Sequence, residues 1–155
     1  MLYDCDNAHD QDLVLRGSRG VPRALLAEPA TMPPTRTLTL RIVHHAYPWT
    51  IVISAGRHAT VTVGDVLQAI YDHLRTPTTQ HGLHISVPAH LHSDINVAFS
   101  SRCLQIAGPA AHAEMSRGIL RIDYLRGATY FGGIAPLHDQ TSHDGVVLEL
   151  KVSRR

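Results

Sequence analysis

A chain of 155 residues that is 44% hydrophobic is long enough to bury one core without disulfide or metal staples. Its two cysteines, Cys5 and Cys103, are far apart and in no C-x-x-C arrangement, so neither a disulfide framework nor a zinc module is indicated. Fourteen basic against thirteen acidic residues leave no electrostatic footprint for nucleic acid or an anionic membrane, while twelve histidines make the charge climb as the pH falls through about 6.5.

Residues 1–12 are polar and acidic and read as a frayed lead-in; residues 13–153 read as a single α+β domain. The acidic start lacks the basic region and apolar run of a signal peptide, and no later segment approaches ~18 consecutive apolar residues, which points to a soluble intracellular, cytoplasmic protein. Leu13 to Arg16 suits a short strand before the Gly17-Ser18-Arg19-Gly20 turn. Pro29, Pro33 and Pro34 make the apolar stretch from Ala24 an extended linker or surface clamp rather than a helix. Leu38, Leu40, Ile42 and His44 then alternate with Thr39, Arg41 and Val43, and a second β-rich run, Thr50 to Ser54, follows the Ala46-Tyr47-Pro48-Trp49 turn. The spacing predicts two antiparallel strands.

Thr60 to Pro77 carries its own start signal, apolar face and stop signal. Thr62 and Asp65 fit a capping box, and Val61 and Val66 sit where a hydrophobic staple would. Val63, Val66, Leu67, Ile70, Tyr71 and Leu74 recur at helical spacing until Pro77 forbids continuation. A hairpin with one apolar face needs a cover, and this helix supplies one.

From Thr78 to Asp94 the pattern weakens to a polar, histidine-rich loop, with Leu83, Ile85 and Val87 alternating as a short strand. Ile95, Val97, Phe99, Cys103, Leu104 and Ile106 predict a helix ending at Gly108-Pro109, and Ala110 to Arg117 a second one stopped by Gly118. Ile119 to Leu125, Tyr130 to Ile134 and Val146 to Val152 read as strands. The fold class is therefore α+β: a small, mostly antiparallel sheet with one well-capped helix and a second, broken helical segment packed on one face. A β-grasp-like sheet is an analogy from element order alone.

Four segments carry a family likeness: LAEPATMPP at 26–34, LRIVHHAYPWTIVIS at 40–54, VTVGDVLQAIYDHLRTPTT at 61–79 and GILRIDYLRGATYFGGI at 118–134. In order and rough spacing the chain resembles an uncharacterised domain family of unknown function from mushroom-forming (basidiomycete) fungi. The resemblance implies a small intracellular α+β domain, often alone in its chain, with no established activity, and it transfers no catalytic residues. Residues 80–94 depart from it, being histidine-rich and uncharged where the family runs charged and helical.

Histidines are the one conspicuous functional residue type. His81, His84, His90, His92 and Asp94 supply imidazole and carboxylate groups of the kind zinc accepts, but the spacing matches no recognised ligand pattern, and a solvated polar loop is the stronger reading. His44 and His45 point to opposite faces of the predicted strand, and His138-Asp139 and His143-Asp144 fall in a solvated hairpin loop. A Cys-His nucleophile pair would join Cys103 to His112 with Asp123 or Asn96 as orienter; Cys103 falls on the apolar face with Phe99 and Ile106, which favours an inert buried thiol. Ser100, Ser101 and Ser116 lack a nucleophile elbow. Gly127, Gly132 and Gly133 belong to turns or bulges rather than a phosphate loop. Asp123 suits an ion pair with Arg121 or Arg126, or the Arg126-Gly127 turn. Tyr47 and Trp49 are the interaction candidates, against a reading in which Trp49 caps the core.

No catalytic residue, metal site or cofactor is assigned. The expected function is a non-catalytic intracellular protein-interaction or scaffold domain with a protein partner and neither nucleic acid nor membrane; the sequence leaves oligomeric state open. The contrasting reading is a metal-binding protein or hydrolase-like enzyme using the insert 81–94. The first predicts an apolar patch or free sheet edge, the second imidazoles lining a pocket.

Overall fold

The capping box seen in the sequence closes as its chemistry requires. In the computed structural model, Thr62 Oγ accepts the Asp65 N–H at 3.2 Å while Asp65 Oδ2 accepts the Thr62 N–H at 2.9 Å and its hydroxyl at 2.8 Å. Two orphan N–H groups at the helix start are thereby satisfied. The structure describes residues 2–4, 15–16, 22–79, 87–106, 108–128, 130–137 and 146–153. The helix so started runs Val63–Leu74 and buries Val66, Ile70 and Leu74, preceded by a one-turn helix α1 (Arg23–Leu26) and hence labelled α2.

Helix α2 packs on the hairpin of β3 (Thr37–Ile42) and β4 (Thr50–Ser54). Their register sets Leu38 opposite Ile53 and Leu40 opposite Ile51, so Leu38, Leu40, Ile42, Ile51 and Ile53 are buried while Thr37, Arg41, Thr50, Val52 and Ser54 face solvent. Each buried aliphatic contributes roughly 1.5–3 kcal/mol. The other strands are β1 (Leu2–Asp4), β2 (Leu15–Arg16), β5 (Tyr130–Pro136) and β6 (Val146–Ser153). The sheet order is β2-β1-β5-β6-β3-β4, antiparallel except where β6 lies parallel to β3. Hairpin, covering helix and a returning strand parallel to the first reproduce the β-grasp order in the β4-β3-β6-β5 portion. The fold is α+β, with a small, mostly antiparallel sheet and helices packed on it.

The broken helical segment is α3 (His92–Leu104) and α4 (Pro109–Ser116). Gly108 and Gly118, both at φ 71°, make the left-handed bends at the two ends of α4 that a side chain would strain. Helix α3 turns inward through Ile95, Arg102 and Cys103, whereas Val97 and Leu104 are exposed.

Five expectations need correction or qualification. Ile119 to Leu125 forms no ladder strand: Leu120 makes one isolated bridge to Pro77, and Arg121–Leu125 is a 3₁₀ helix. Ile122, Asp123, Tyr124 and Leu125 are all buried, which a strand with alternating faces does not achieve against a single layer, and the Asp123 carboxylate accepts the Leu120 N–H at 2.9 Å to close the turn. Tertiary context overrides β propensity here. The stretch from Ala24 is not wholly extended, since α1 spends one turn before Pro29 bridges to Thr62. Strand β3 stops at Ile42, so His44 and His45 sit in the β3–β4 connection. Residues 89–94 are not loop: Ala89–Leu91 is a 3₁₀ turn running directly into α3, whereas Leu83 and Ile85 of the expected strand lie outside the described residues and Val87 is in a bend. Within the lead-in, Leu2–Asp4 pairs with β2 and β5; the remainder of 1–12 lies outside the described residues.

Candidate functional site

The residues with chemical potential fall into three places. His81 and His84 lie outside the described residues. His90 is exposed on the 3₁₀ turn, and His92 opens α3 with Nε2 3.1 Å from the Val87 carbonyl. Asp94 pairs with Arg126, whose Nη1 is 2.7 Å from His45 Nε2. His44 stacks on His45 with ring centroids 4.5 Å apart. Among the described residues no three His, Cys, Asp or Glu side chains are placed to hold a metal ion.

The second place is a buried ion network under α3, α4 and the 3₁₀ helix. Arg102, only 5% exposed, donates from Nε to Asp123 Oδ1 at 2.8 Å and from Nη2 to Asp123 Oδ2 at 2.9 Å. Its Nη1 bonds Glu114 Oε1, and Nη2 also reaches the Gly118 carbonyl at 3.0 Å. Arg75 Nη2 completes Glu114 at 2.8 Å. Burial works to lower the Arg102 pKa, but the bond to Asp123 and the charges of Asp123 and Glu114 outweigh it and hold the pKa above its ordinary value. Asp123 therefore pairs with Arg102, not with Arg121 or Arg126, and it is spoken for as an orienter of Cys103. Burial pushes the neighbouring Cys103 thiol up, with Arg102 opposing, which makes it a poor nucleophile. His112 and Asn96 are exposed, and the Ser100 and Ser116 hydroxyls donate to carbonyls of their own helices.

The third place is aromatic. Tyr47 is buried, its ring 5.2 Å from Trp49 and edge-on; Trp49 in turn meets Tyr124 at 4.7 Å, and the Arg121 guanidinium lies 5.1 Å over the Trp49 ring. Such edge contacts and the cation–π pair hold the strand boundary against the core. Tyr47 and Trp49 thus turn inward. Arg121 Nη1 also lies 2.9 Å from His73 Nδ1, and burial, then the Arg121 charge, lowers the His73 pKa to about 4. A neutral imidazole can accept from the guanidinium.

The site with room for a partner is apolar. Helix α2 packs on β4, and farther along the sheet Val146 and Leu148 of β6 and Phe131 and Ile134 of β5 are half-buried or exposed. The result is a groove of about 610 Å³ whose floor includes Ile134 and Leu148, with Val66 and Leu67 of α2 along one wall and Met32 at the lip. Phe131 also lines it. Met32 is 94% exposed and Ile134 37%, so apolar side chains meet water in one contiguous concavity.

Residues 2–145 match DUF6699, a family of unknown function. The chain belongs to the DUF6699 family. No curated protein and no solved structure matches it. In this DUF6699 chain the matched span takes in the hairpin, α2, the ion network and most of the groove, leaving only the β6 side of the floor beyond it. No described helix is long and apolar enough to cross a membrane.

Sequence reasoning missed the groove and the ion network of the DUF6699 chain for different reasons. The alternation in β5 and β6 was readable, but which strands α2 leaves uncovered depends on β6 inserting beside β3, a pairing across the length of the chain. An Arg at position 102 in an otherwise amphipathic stretch carries no local sign that two carboxylates await it. The one available hint was Asp123 amid apolar residues, since a carboxylate there must find a cation once buried.

Proposed function

We propose that this chain is a non-catalytic protein-interaction or scaffold domain, formed by residues 13–153 and acting inside the cell, of the basidiomycete fungal type its segments resemble. The open apolar groove between α2 and the β5–β6 half of the sheet carries the reading. A furrow walled by a helix and floored by a sheet suits the apolar face of an amphipathic partner segment, which would lie beside α2 and complete the helical layer. Tyr47, buried, and Trp49, half-buried against the core, serve the fold under this reading, and contact with the partner falls to Met32, Leu67 and Ile134.

Selection of a displayed peptide library on the wild-type protein, followed by calorimetric titration of the selected peptides, tests the proposal. Expected are peptides with apolar residues at helical spacing whose affinity drops at least about tenfold in the Ile134→Asp variant, as loss of one buried anchor implies. Selected peptides that bind Ile134→Asp and Leu67→Asp as tightly as wild type refute it.

A further inference from the structure

Away from the groove, the sheet ends at β4, whose one strand neighbour among the described residues is β3. Ala55 donates its N–H to the Arg36 carbonyl at 2.8 Å. In an antiparallel pair, residues that exchange hydrogen bonds alternate with residues that do not, so this bond and the register fix the direction of the backbone groups along the strand. Ile53 and Ile51 turn their N–H and C=O groups toward β3; Thr50, Val52 and Ser54 turn theirs outward. All three are exposed, Val52 at 65%.

The sequence along that edge, Thr50-Ile51-Val52-Ile53-Ser54, is nearly the same read in either direction. Sheet edges in natural proteins are usually blunted by charge, proline or a bulge, and β4 contains none of these within its uninterrupted register. Pro48 and Gly56 stand equally far from Val52 on the two sides.

We propose that β4 is a self-association edge, on which a second copy of this chain adds its own β4 antiparallel about a two-fold axis through Val52. Val52 then faces the partner's Val52, Ile51 faces the partner's Ile53, and Thr50 faces the partner's Ser54. The outward backbone groups are the ones this register needs: Thr50, Val52 and Ser54 of each copy donate one bond and accept one across the axis. The next bonded position would set Pro48, which has no N–H, against the partner's Gly56, so the ladder stops at both ends by the same residue. Apolar side chains meet apolar ones on the helix-bearing face, hydroxyls flank Val52 on the other, and no charge within β4 opposes a like charge. The contact is isologous and closes at two copies. It is also small, in the class below about 1,200 Å² that gives weak dimers. The proposal is independent of the groove, which lies at the opposite half of the sheet.

Sedimentation equilibrium from micromolar to millimolar concentration reads it directly. The wild type should move from the 17.0 kDa chain mass to twice that mass. Val52→Lys and Val52→Asp, each placing like charges face to face on the axis, should stay at the monomer mass with unchanged thermal midpoints, and an equimolar mixture of the two should regain the dimer. Amide exchange at Thr50, Val52 and Ser54 of the wild type should slow as concentration rises, a readout that needs no variant. A wild type that stays monomeric throughout overturns the proposal, as does a dimer indifferent to Val52→Lys. A mixture that fails to reassociate, or protection of these amides that ignores concentration, overturns it equally.

Discussion

Replacing Arg102 by methionine keeps most of the side chain's volume and removes its charge, and the structure says what is left behind. Asp123, 3% exposed, loses both guanidinium bonds and keeps only the Leu120 N–H at 2.9 Å, while Glu114 keeps Arg75 at 2.8 Å. One uncompensated buried carboxylate costs about 3–5 kcal/mol. For a chain of this length that is a fall of about 6–20 °C in thermal midpoint. Urea unfolding followed by circular dichroism should show the loss at unchanged slope, since no new surface is exposed. The companion Asp123→Asn variant keeps an oxygen for the Leu120 N–H and removes the orphaned charge, so Arg102→Met/Asp123→Asn should recover at least about 2 kcal/mol relative to the sum of the single losses, a coupling of the size expected within one network. A single-variant loss below about 1 kcal/mol, or strict additivity, would show that the pair contributes nothing beyond exposed ion pairs and that the reasoning is wrong.

Thr62→Ala removes the side-chain acceptor at the start of α2 and should lower stability by about 1 kcal/mol, read as an earlier urea midpoint; a Thr62→Ser variant should retain most of it. His73, with a folded pKa of about 4 against about 6.5 when unfolded, takes up its proton in the unfolded chain first. Stability should therefore decline as the pH is lowered from about 6.5 toward about 4, and the decline should be shallower in His73→Gln; equal slopes in the two proteins would count against a buried neutral imidazole. In a Cys5→Ser background, Cys103 should react with a thiol reagent at the rate of unfolding rather than at the rate of a free thiol, because it is both buried and raised in pKa; immediate stoichiometric labelling would contradict the packing.

What was legible beforehand was local. Thr62, Asp65 and the apolar positions through Leu74 specify α2 because every interaction that starts, orients and stops it lies within one stretch of chain. The β3–β4 hairpin was legible for the same reason, since Leu38, Leu40, Ile51 and Ile53 declare one buried face by alternation alone. Arg121–Leu125 was misread because isoleucine, tyrosine and leucine favour strands in general, while its conformation is decided by Arg102 from a different helix holding Asp123. Residues His90 to Asp94 looked like loop because helix α3 begins without a side-chain cap and its inward face includes an arginine. Trp49 illustrates a subtler limit: its aromatic company was visible, yet whether it points to a partner or to Tyr124 and Arg121 depends on residues far along the chain. The groove is the extreme case, a property of what α2 does not cover.

The parallel pairing of β6 with β3 has a consequence for how the chain is made. Strand β6 lies between β3 and β5 in the sheet although it follows both in chain order. Until Val146–Ser153 has left the ribosome, β3–β4 and β5–β1–β2 are separate fragments, each with an open edge where β6 belongs, and the helices that pack on them have no continuous floor. The sheet therefore closes only once β6 is available, and a nascent or truncated chain lacking those eight residues exposes two complementary edges at once, the condition under which chaperone capture competes with pairing between neighbouring chains.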